Sequence, residues 1–243
     1  MRLLVTRPEP DAITLKAQLI GLGHEVLIEP LNRVEFGAME ELELDEAQAL
    51  IATSRNALRG LAQSPHAAAA RALPLYAVGP GTAATARALG FEAVLQGPKD
   101  ANALVDYIAD RAEVHGGPLI YLSGEVKAAD LGGELRRLGF HVQEPIVYRV
   151  TAAQKFAAPI VARFQAREVD GVLLLSPQTA RTYARLIQAH GLAGTIAGTM
   201  HYCLSPAVAR GLAPLSSPRI AAAAQPNLQS MLALVAQGVA LLP

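Results

Sequence analysis

Small hydroxyl side chains, glycines and a few cations follow nearly every short apolar run in this chain. The runs have the composition of buried parallel strands, and a helical pattern follows most of them. In open parallel sheets, ligands bind beyond the carboxyl ends of the strands, where helix N-termini offer backbone N–H groups to anions. The sequence therefore predicts a binding site for carboxylates or phosphates. The predicted ligand-contacting residues are Thr6, Arg7, Ser54, Arg55, Asn56, Gly79, Gly81, Ser123, Gly124, Ser176, Gln178 and Ser205.

Two other interpretations of these residues are open. Serine, threonine and glycine are also common helix caps, so each of them can have a purely structural role. The turn from Gly79 to Ala84 matches the spacing of a dinucleotide-binding loop. However, the strand that follows it, EAVL, lacks a terminal acidic residue to bind a ribose. The six histidines show no ligand spacing, so we expect no metal site.

The elements that position these residues alternate along the whole chain. Strand patterns such as LLVT, ALIATS and VLLLS are separated by helical patterns of about ten residues. This order predicts an α/β fold of the doubly wound type, with parallel sheets covered on both faces. Asp11 is predicted to cap the first helix, while Gly23 and Gly139 end two helices where a left-handed residue is needed. The predicted helices cover about 11–22, 56–62, 82–89, 129–138, 178–189 and 206–212.

An internal duplication runs through the chain. The helical leucine and glycine pattern at 15–23 recurs 116 residues later at 131–139, and an extended stretch follows each copy, at 24–36 and 140–151. A strand of about 12 residues spans on the order of 40 Å, which is enough to leave one lobe and enter another. We therefore predict two similar lobes joined by these stretches, running side by side as a hinge, with a ligand cleft between the lobes.

Bulk composition excludes several classes of protein. The chain of 243 residues is 51% hydrophobic and 17% charged, which is typical of a globular core. The formal net charge of zero argues against a nucleic-acid binder. The first apolar run ends at Arg7, too early for a signal peptide, and no run is long enough to span a membrane. With one cysteine, Cys203, the chain cannot form an internal disulfide, so we expect a cytoplasmic protein.

Taken together, the motifs resemble one family. They are LVTRPEPDA at 4–12, LGHEVLIEP at 22–30, ATSRNALR at 52–59, YAVGPGTAATARALGF at 76–91, YLSGE at 121–125, LRRLGFHVQEPIVYRV at 135–150 and LSPQTARTYA at 175–184. In order and spacing they are similar to uroporphyrinogen-III synthases, over nearly the whole length of the chain.

This resemblance implies two flavodoxin-like lobes with parallel sheets, joined by a two-stranded β-ladder. The first βαβ segment would pack into the lobe formed by the C-terminal half. The implied lobes are residues 1–35 with 151–243, and residues 36–150.

The implied reaction is the cyclisation of the linear tetrapyrrole hydroxymethylbilane to uroporphyrinogen III, with inversion of ring D and loss of water. The family uses no metal or cofactor. Eight carboxylates on the substrate match a cleft lined with N–H groups, hydroxyls and arginines. We expect a monomer that acts on this small molecule, with no nucleic-acid or membrane partner.

The resemblance also implies roles for individual residues. Thr82 matches a threonine of the family's glycine-containing loop, and Tyr183 is the nearest match to a tyrosine considered as a proton donor. Tyr148, on the second extended stretch, either lines the cleft or packs as an interface aromatic. A different class of function remains as an alternative: a non-enzymatic, two-lobed protein that binds a small anionic ligand.

Overall fold

Ten helices and twelve strands alternate along the part of the chain that the structure, a computed structural model, describes: residues 1–37, 42–98, 100–127 and 129–239. In chain order they are β1 (Arg2–Val5), α1 (Asp11–Gly21), β2 (Glu25–Ile28), β3 (Asn32–Phe36), β4 (Ala49–Ala52), α2 (Arg55–Ala62), α3 (Ala67–Arg71), β5 (Leu75–Val78), α4 (Gly79–Ala88), β6 (Val94–Gly97), α5 (Ala101–Ala109), β7 (Leu119–Gly124), α6 (Leu131–Arg137), β8 (Val142–Gln143), β9 (Ile146–Ala152), α7 (Ala158–Gln165), β10 (Gly171–Leu174), α8 (Pro177–Ala189), β11 (Met200–Cys203), α9 (Pro206–Arg210), β12 (Arg219–Ala222) and α10 (Leu228–Val239). None of the described helices is both long enough and apolar enough to cross a membrane.

Contacts divide the chain into two units. Unit 1 consists of Met1–Arg33 and Thr151–Pro243, and unit 2 of Val34–Val150. Unit 1 contains a five-stranded parallel sheet in the order β12-β11-β10-β1-β2. A second sheet has seven strands. Six of them follow the order β3-β9-β7-β4-β5-β6, and the seventh, β8, pairs with β7 outside this order. The strands from β9 to β6 in this order are parallel, so the predicted α/β fold with parallel sheets is confirmed.

Apolar side chains cover both faces of each sheet. In β1, Leu4 packs in one cluster of unit 1, while Leu3 and Val5 pack in the cluster on the opposite face. In β4, Leu50 and Ile51 divide between the two clusters of unit 2 in the same way. Alternate strand residues point to opposite faces, which is why these strands read as continuous apolar runs.

The two long extended stretches are each interrupted. Stretch 24–36 forms β2 and then β3, and stretch 140–151 forms β8 and most of β9, so the prediction of single long strands was wrong. Pro30 and Pro145 lie at the breaks, where a proline has no N–H to give to a sheet. The chain passes between units within β3 and again within β9, and these two strands are neighbours in the sheet.

Helix boundaries show where local patterns are reliable. Gly23 and Gly139 have positive φ angles of 81° and 91°, as predicted for residues that end helices. The prediction for Asp11 was wrong, because Asp11 is the first residue of α1 and its carboxylate contacts the Arg7 guanidinium at 2.6 Å. The sequence pattern did not predict α5, α7 or α10, which complete the covering layers.

Two buried histidines make stability depend on pH. His24 is 6% exposed, and neither of its ring nitrogens has a hydrogen-bond partner in the described residues. Burial lowers the pKa of His24, with a smaller contribution from the Met1 α-amino group, and burial also lowers the pKa of His201. The unfolded chain therefore binds more protons once the pH falls below about 6.5, the ordinary histidine value.

We predict that the two neutral, buried histidines do not lower the free energy of unfolding above pH 6.5. Below that pH the free energy of unfolding decreases, until the pH has fallen through the lowered pKa values. His24→Leu removes one of the buried groups that must accept a proton, so it should make this decrease shallower. Urea denaturation at pH 7.5, 6.5 and 5.5 measures the effect. The control is His115→Gln at an exposed position. Equal pH slopes for the wild type and His24→Leu would contradict the assignment.

Candidate active site

The start of α4 in unit 2 is a helix N-terminus without a side-chain cap in the described part of the chain. Gly79, with a φ of 65°, donates its N–H to the Pro98 carbonyl at 2.9 Å, and Pro80 has no N–H to offer. Gly81 and Thr82 supply the remaining donors of the first turn, and Gly81 is exposed. An uncapped helix start with close backbone access is suited to an anionic group.

Three of the four predicted serines cap helices. The Oγ atoms of Ser54, Ser176 and Ser205 accept hydrogen bonds from N–H groups in the first turns of α2, α8 and α9. Capping uses a lone pair of each hydroxyl oxygen, while the hydroxyl proton can still be donated to a ligand. All three serines are half-buried, so the capping role and the predicted binding role are compatible.

Two other predicted hydroxyls donate their protons to backbone carbonyls of the protein. Thr6 is fully buried and donates its hydroxyl proton to the Leu173 carbonyl at 2.7 Å, which ties β1 to β10. Ser123 is also fully buried and donates to the Pro145 carbonyl at 3.1 Å. A hydroxyl has one proton, so neither side chain can also donate to a substrate carboxylate. Their predicted binding role is therefore replaced by a structural one.

Tyr148 packs against the end of β7. A Cβ atom added at Gly124 would lie 2.7 Å from Cζ and 2.8 Å from the hydroxyl oxygen of Tyr148, so only glycine leaves room for this ring. Tyr148 is half-buried on β9, in register with Gly124. The phenol therefore lies at the carboxyl end of β7, beside the start of the loop that follows Gly124.

Arg7, one of the two predicted cations, is held by a neighbouring carboxylate. Arg7 pairs with Asp11, and both side chains are mostly buried. In α2, the Asn56 side-chain oxygen accepts a hydrogen bond from Arg59 at 3.1 Å. Arg55, the first residue of α2, is half-buried, and Gln178, the second residue of α8, is exposed. These pairings fix where the charges lie before any ligand binds.

Within each unit, strand order brings the predicted residues to one edge of a sheet. In unit 2 they follow β7, β4 and β5, which are adjacent strands. In unit 1 they follow β1, β10 and β11, which are also adjacent. All of these strands are parallel, so their carboxyl ends share one edge.

Tyr183 does not lie at this edge. It is 0% exposed in the core of unit 1, and its ring packs against Phe156 and Phe164. Its hydroxyl lies 3.1 Å from Nε2 of His201, whose Nδ1 faces the Arg219 carbonyl at 3.0 Å. A neutral histidine in this setting carries its proton on Nδ1, so Nε2 accepts from Tyr183. Burial also raises the pKa of Tyr183. This geometry argues against the predicted role as a proton donor to a substrate.

Other polar residues at the edge of unit 2 were missed by the sequence analysis. The Tyr121 hydroxyl lies 3.1 Å from Thr53 Oγ1, and burial raises the pKa of Tyr121. Glu144 contacts Lys127 at 2.8 Å and Arg136 at 3.1 Å. Tyr121 lies inside an apolar run and Glu144 inside an extended stretch, so no local pattern separates them from packing residues.

Comparison with known proteins decides the family. The model for "Uroporphyrinogen-III synthase HemD" matches residues 13–233. The chain belongs to the uroporphyrinogen-III synthase family. No curated protein matched the sequence. Among solved structures, a uroporphyrinogen-III synthetase from Helicobacter pylori 26695 is 18% identical, with a TM-score of 0.66 over 98% of this chain and 99% of that one. A mutant synthase from the extremely thermophilic bacterium Thermus thermophilus is 16% identical, with a TM-score of 0.56 over 99% of each chain.

At such low identities the solved synthases show a shared fold, and the family match carries the enzyme class. Uroporphyrinogen-III synthases are cyclising lyases of tetrapyrrole biosynthesis, and they act on a linear tetrapyrrole. The two sheet edges offer groups that can bind anions: backbone N–H groups at helix starts, half-buried hydroxyls and arginines.

The burial of Tyr183 gives a test of its role. Tyr183→Phe leaves a buried acceptor on His201 without its donor, so we expect the free energy of unfolding to fall by about 1–3 kcal/mol. We expect kcat for type III product to stay within about twofold of wild type, because the hydroxyl makes a core contact. Urea denaturation and initial-rate kinetics measure both quantities, with Tyr107→Phe as the control. A large loss of kcat at unchanged stability would restore Tyr183 as the acid.

Proposed function

We propose that the chain converts hydroxymethylbilane to uroporphyrinogen III by binding carboxylates of the substrate at helix starts beyond the strand ends, so that ring D is attacked in the inverted sense. The observation that carries this proposal is the start of α4, where the first-turn N–H groups have no side-chain cap in the described residues and Gly81 is exposed. In each unit, three adjacent strand ends with hydroxyls, glycines or cations support it. We further infer a monomeric enzyme of a reducing, cytoplasmic compartment, in keeping with its one buried thiol, Cys203.

The chemistry requires positioning more than strong acids. Protonation of the leaving hydroxyl releases water and leaves an azafulvene cation, which the attached pyrrole stabilises. Attack by the substituted carbon of ring D gives a spiro intermediate. That intermediate fragments and closes again with ring D inverted. Without an enzyme the bilane closes uninverted, so the enzyme must favour one geometry. Correct orientation can lower a barrier by several kcal/mol.

The proposed contacts divide by chemistry. Backbone N–H groups of Gly81, Thr82 and Gln178 bind carboxylates without the desolvation cost of an extra charge. Arg55 adds positive charge, Arg7 offers those N–H groups that Asp11 does not occupy, and Tyr148 adds a half-buried hydroxyl at the end of β7. None of the steps above needs a metal or a cofactor. Tyr183, Thr6 and Ser123 hold the framework in place.

The direct test supplies purified protein with freshly made hydroxymethylbilane and separates the oxidised products by isomer. We expect mainly type III, formed faster than the type I product of a no-enzyme control. A demonstrably folded protein that gives only type I at the spontaneous rate would overturn the proposal. It would favour the non-enzymatic binding protein, which would retain the bilane unchanged.

The start of α4 has its own test. A Cβ at Gly81 would have no atom within 4 Å, so a side chain is tolerated there. Gly81→Asp places a fixed carboxylate where a substrate carboxylate is proposed to bind. We expect KM to rise by about tenfold or more through charge repulsion and competition for the N–H groups. The same carboxylate should leave the fold unchanged or stabilise it by about 0.3–1 kcal/mol, because it lies at the positive end of α4.

Gly81→Asn is the matched control, because it has the same shape without the charge. We expect its KM to stay within about threefold of wild type. Initial rates of type III formation and urea denaturation measure both variants. Equal KM values for the aspartate and asparagine variants would exclude α4 as an anion site.

A further inference from the structure

Asn32 and Thr179 form a buried polar pair in unit 1 that the predicted site did not include. Asn32, the first residue of β3, is 6% exposed, and its Nδ2 donates to Thr179 Oγ1 at 2.8 Å. Thr179, in the first turn of α8, is also 6% exposed. Its Oγ1 lies 2.8 Å from Ser176 Oγ, and its backbone N–H donates to the same Ser176 oxygen at 3.1 Å. Thr179 therefore connects Asn32 to Ser176, the residue that caps α8.

These contacts set the direction of each proton. The amide of Asn32 is a donor to Thr179, so it cannot accept the proton of the Thr179 hydroxyl through that contact. The contact between the two hydroxyls allows either to donate. Because Thr179 Oγ1 already accepts from Asn32, we infer that its proton goes to Ser176 Oγ. Ser176 Oγ then accepts from both the hydroxyl and the N–H of Thr179, so its own proton must go elsewhere. Ser176 is half-buried, and its proton is available to a ligand at the start of α8.

The duplication supplies an internal comparison. The Glu29-Pro30 and Glu144-Pro145 breaks align Asn32 with Val147, and the capping serines Ser54 and Ser176 align Ala57 with Thr179. Val147 and Ala57 are fully buried in one apolar cluster of unit 2. An apolar pair at these positions therefore suffices for folding. The polar pair of unit 1 needs another reason.

The polar pair also carries a cost. Within the described residues, Oδ1 of Asn32 has no hydrogen-bond partner. A buried acceptor without a partner opposes folding, and natural cores keep few of them. Apolar side chains of similar size would avoid this cost, as they do in unit 2.

We propose that Asn32 and Thr179 are positioning residues, which turn the Ser176 hydroxyl into a directed donor to a carboxylate of the substrate. The relay runs from the Asn32 amide to the Thr179 hydroxyl, then to Ser176 Oγ, and the Ser176 proton meets the ligand beside the N–H of Gln178. This inference rests on the proposed function, because it assumes that the start of α8 binds the substrate. A serine hydroxyl that rotates freely would bind the same carboxylate less well.

The experiment transplants the apolar pair of unit 2 into unit 1. Asn32→Val with Thr179→Ala should fold with unchanged or higher stability, as measured by urea denaturation. We expect its KM for hydroxymethylbilane to rise by about fivefold to tenfold, with kcat within about twofold, because a hydrogen bond to a charged group is lost or weakened. Ser176→Ala should raise KM by about tenfold on the same grounds. Initial rates of type III formation give both parameters.

Two further variants separate the relay from a general packing effect. Thr179→Ser keeps the hydroxyl and should keep the wild-type KM. Asn32→Asp has the shape of asparagine but only accepts, so it reverses the relay and draws the Ser176 proton inward. Its KM should rise at least as much as that of the transplanted pair. In a Ser176→Ala background, the transplanted pair should raise KM no further, because the Ser176 hydroxyl that the relay orients is then absent.

The outcomes distinguish the relay from the proposed function. A wild-type KM for Ser176→Ala overturns both the binding role of α8 and the relay that serves it. A raised KM for Ser176→Ala with a wild-type KM for the transplanted pair overturns the relay alone. An undiminished effect of the pair in the Ser176→Ala background also overturns the relay. If the transplanted pair does not fold, the contrast between Thr179→Ser and Asn32→Asp still decides the question.

Discussion

Backbone N–H groups at the starts of helices are the constraint on which the rest of this structure depends. Each helix that follows a strand in a parallel sheet begins with donors that have no partner inside the helix. Serines satisfy part of this need at α2, α8 and α9, whereas α4 has no side-chain cap in the described residues. The parallel order of β7, β4 and β5, and of β1, β10 and β11, then collects these positive helix ends at one edge of each sheet. The proposed function uses these helix ends, because it places carboxylates of the substrate beside them.

The duplication shows which features of the site are demanded by the fold. Both units have a serine that caps the helix after the corresponding strand, Ser54 in one and Ser176 in the other. Beneath Ser54 the core is apolar, with Ala57 and Val147, and beneath Ser176 it is polar, with Thr179 and Asn32. The fold requires the cap in both units. Unit 2 has an apolar pair at the matching positions, and this difference between the two copies is the basis for the positioning role proposed for Asn32 and Thr179.

Much of the fold could be predicted from the sequence, because parallel strands and their helices leave a periodic pattern. Leu3, Leu4 and Val5 read as a buried strand because both faces of the sheet are covered. The breaks at Pro30 and Pro145 could have been inferred from the missing proline N–H, but the apolar residues on either side suggested longer strands.

Periodicity does not report where a hydroxyl points. Thr6 and Ser123 therefore looked like ligand contacts, although each donates to a carbonyl of a neighbouring strand or loop. Tyr183 depends on a partner 18 residues away, His201, and no local pattern identifies such a contact. Asn32 could have been noticed in the sequence in one way: it is a polar residue where the other copy of the duplication has the apolar residue Val147.

The division of the chain into interleaved units has a consequence for its synthesis. Unit 2 is a continuous segment, Val34–Val150, so its strands are synthesised in one uninterrupted stretch. In unit 1, β1 pairs with β10 in a register that joins Leu3 to Gly171. During translation β1, α1 and β2 must therefore wait, with their apolar faces uncovered, until the later segment has been made. Because long-range strand pairing is slow and exposed strand edges aggregate, we expect the nascent first βαβ segment to be prone to aggregation until β10 has been made.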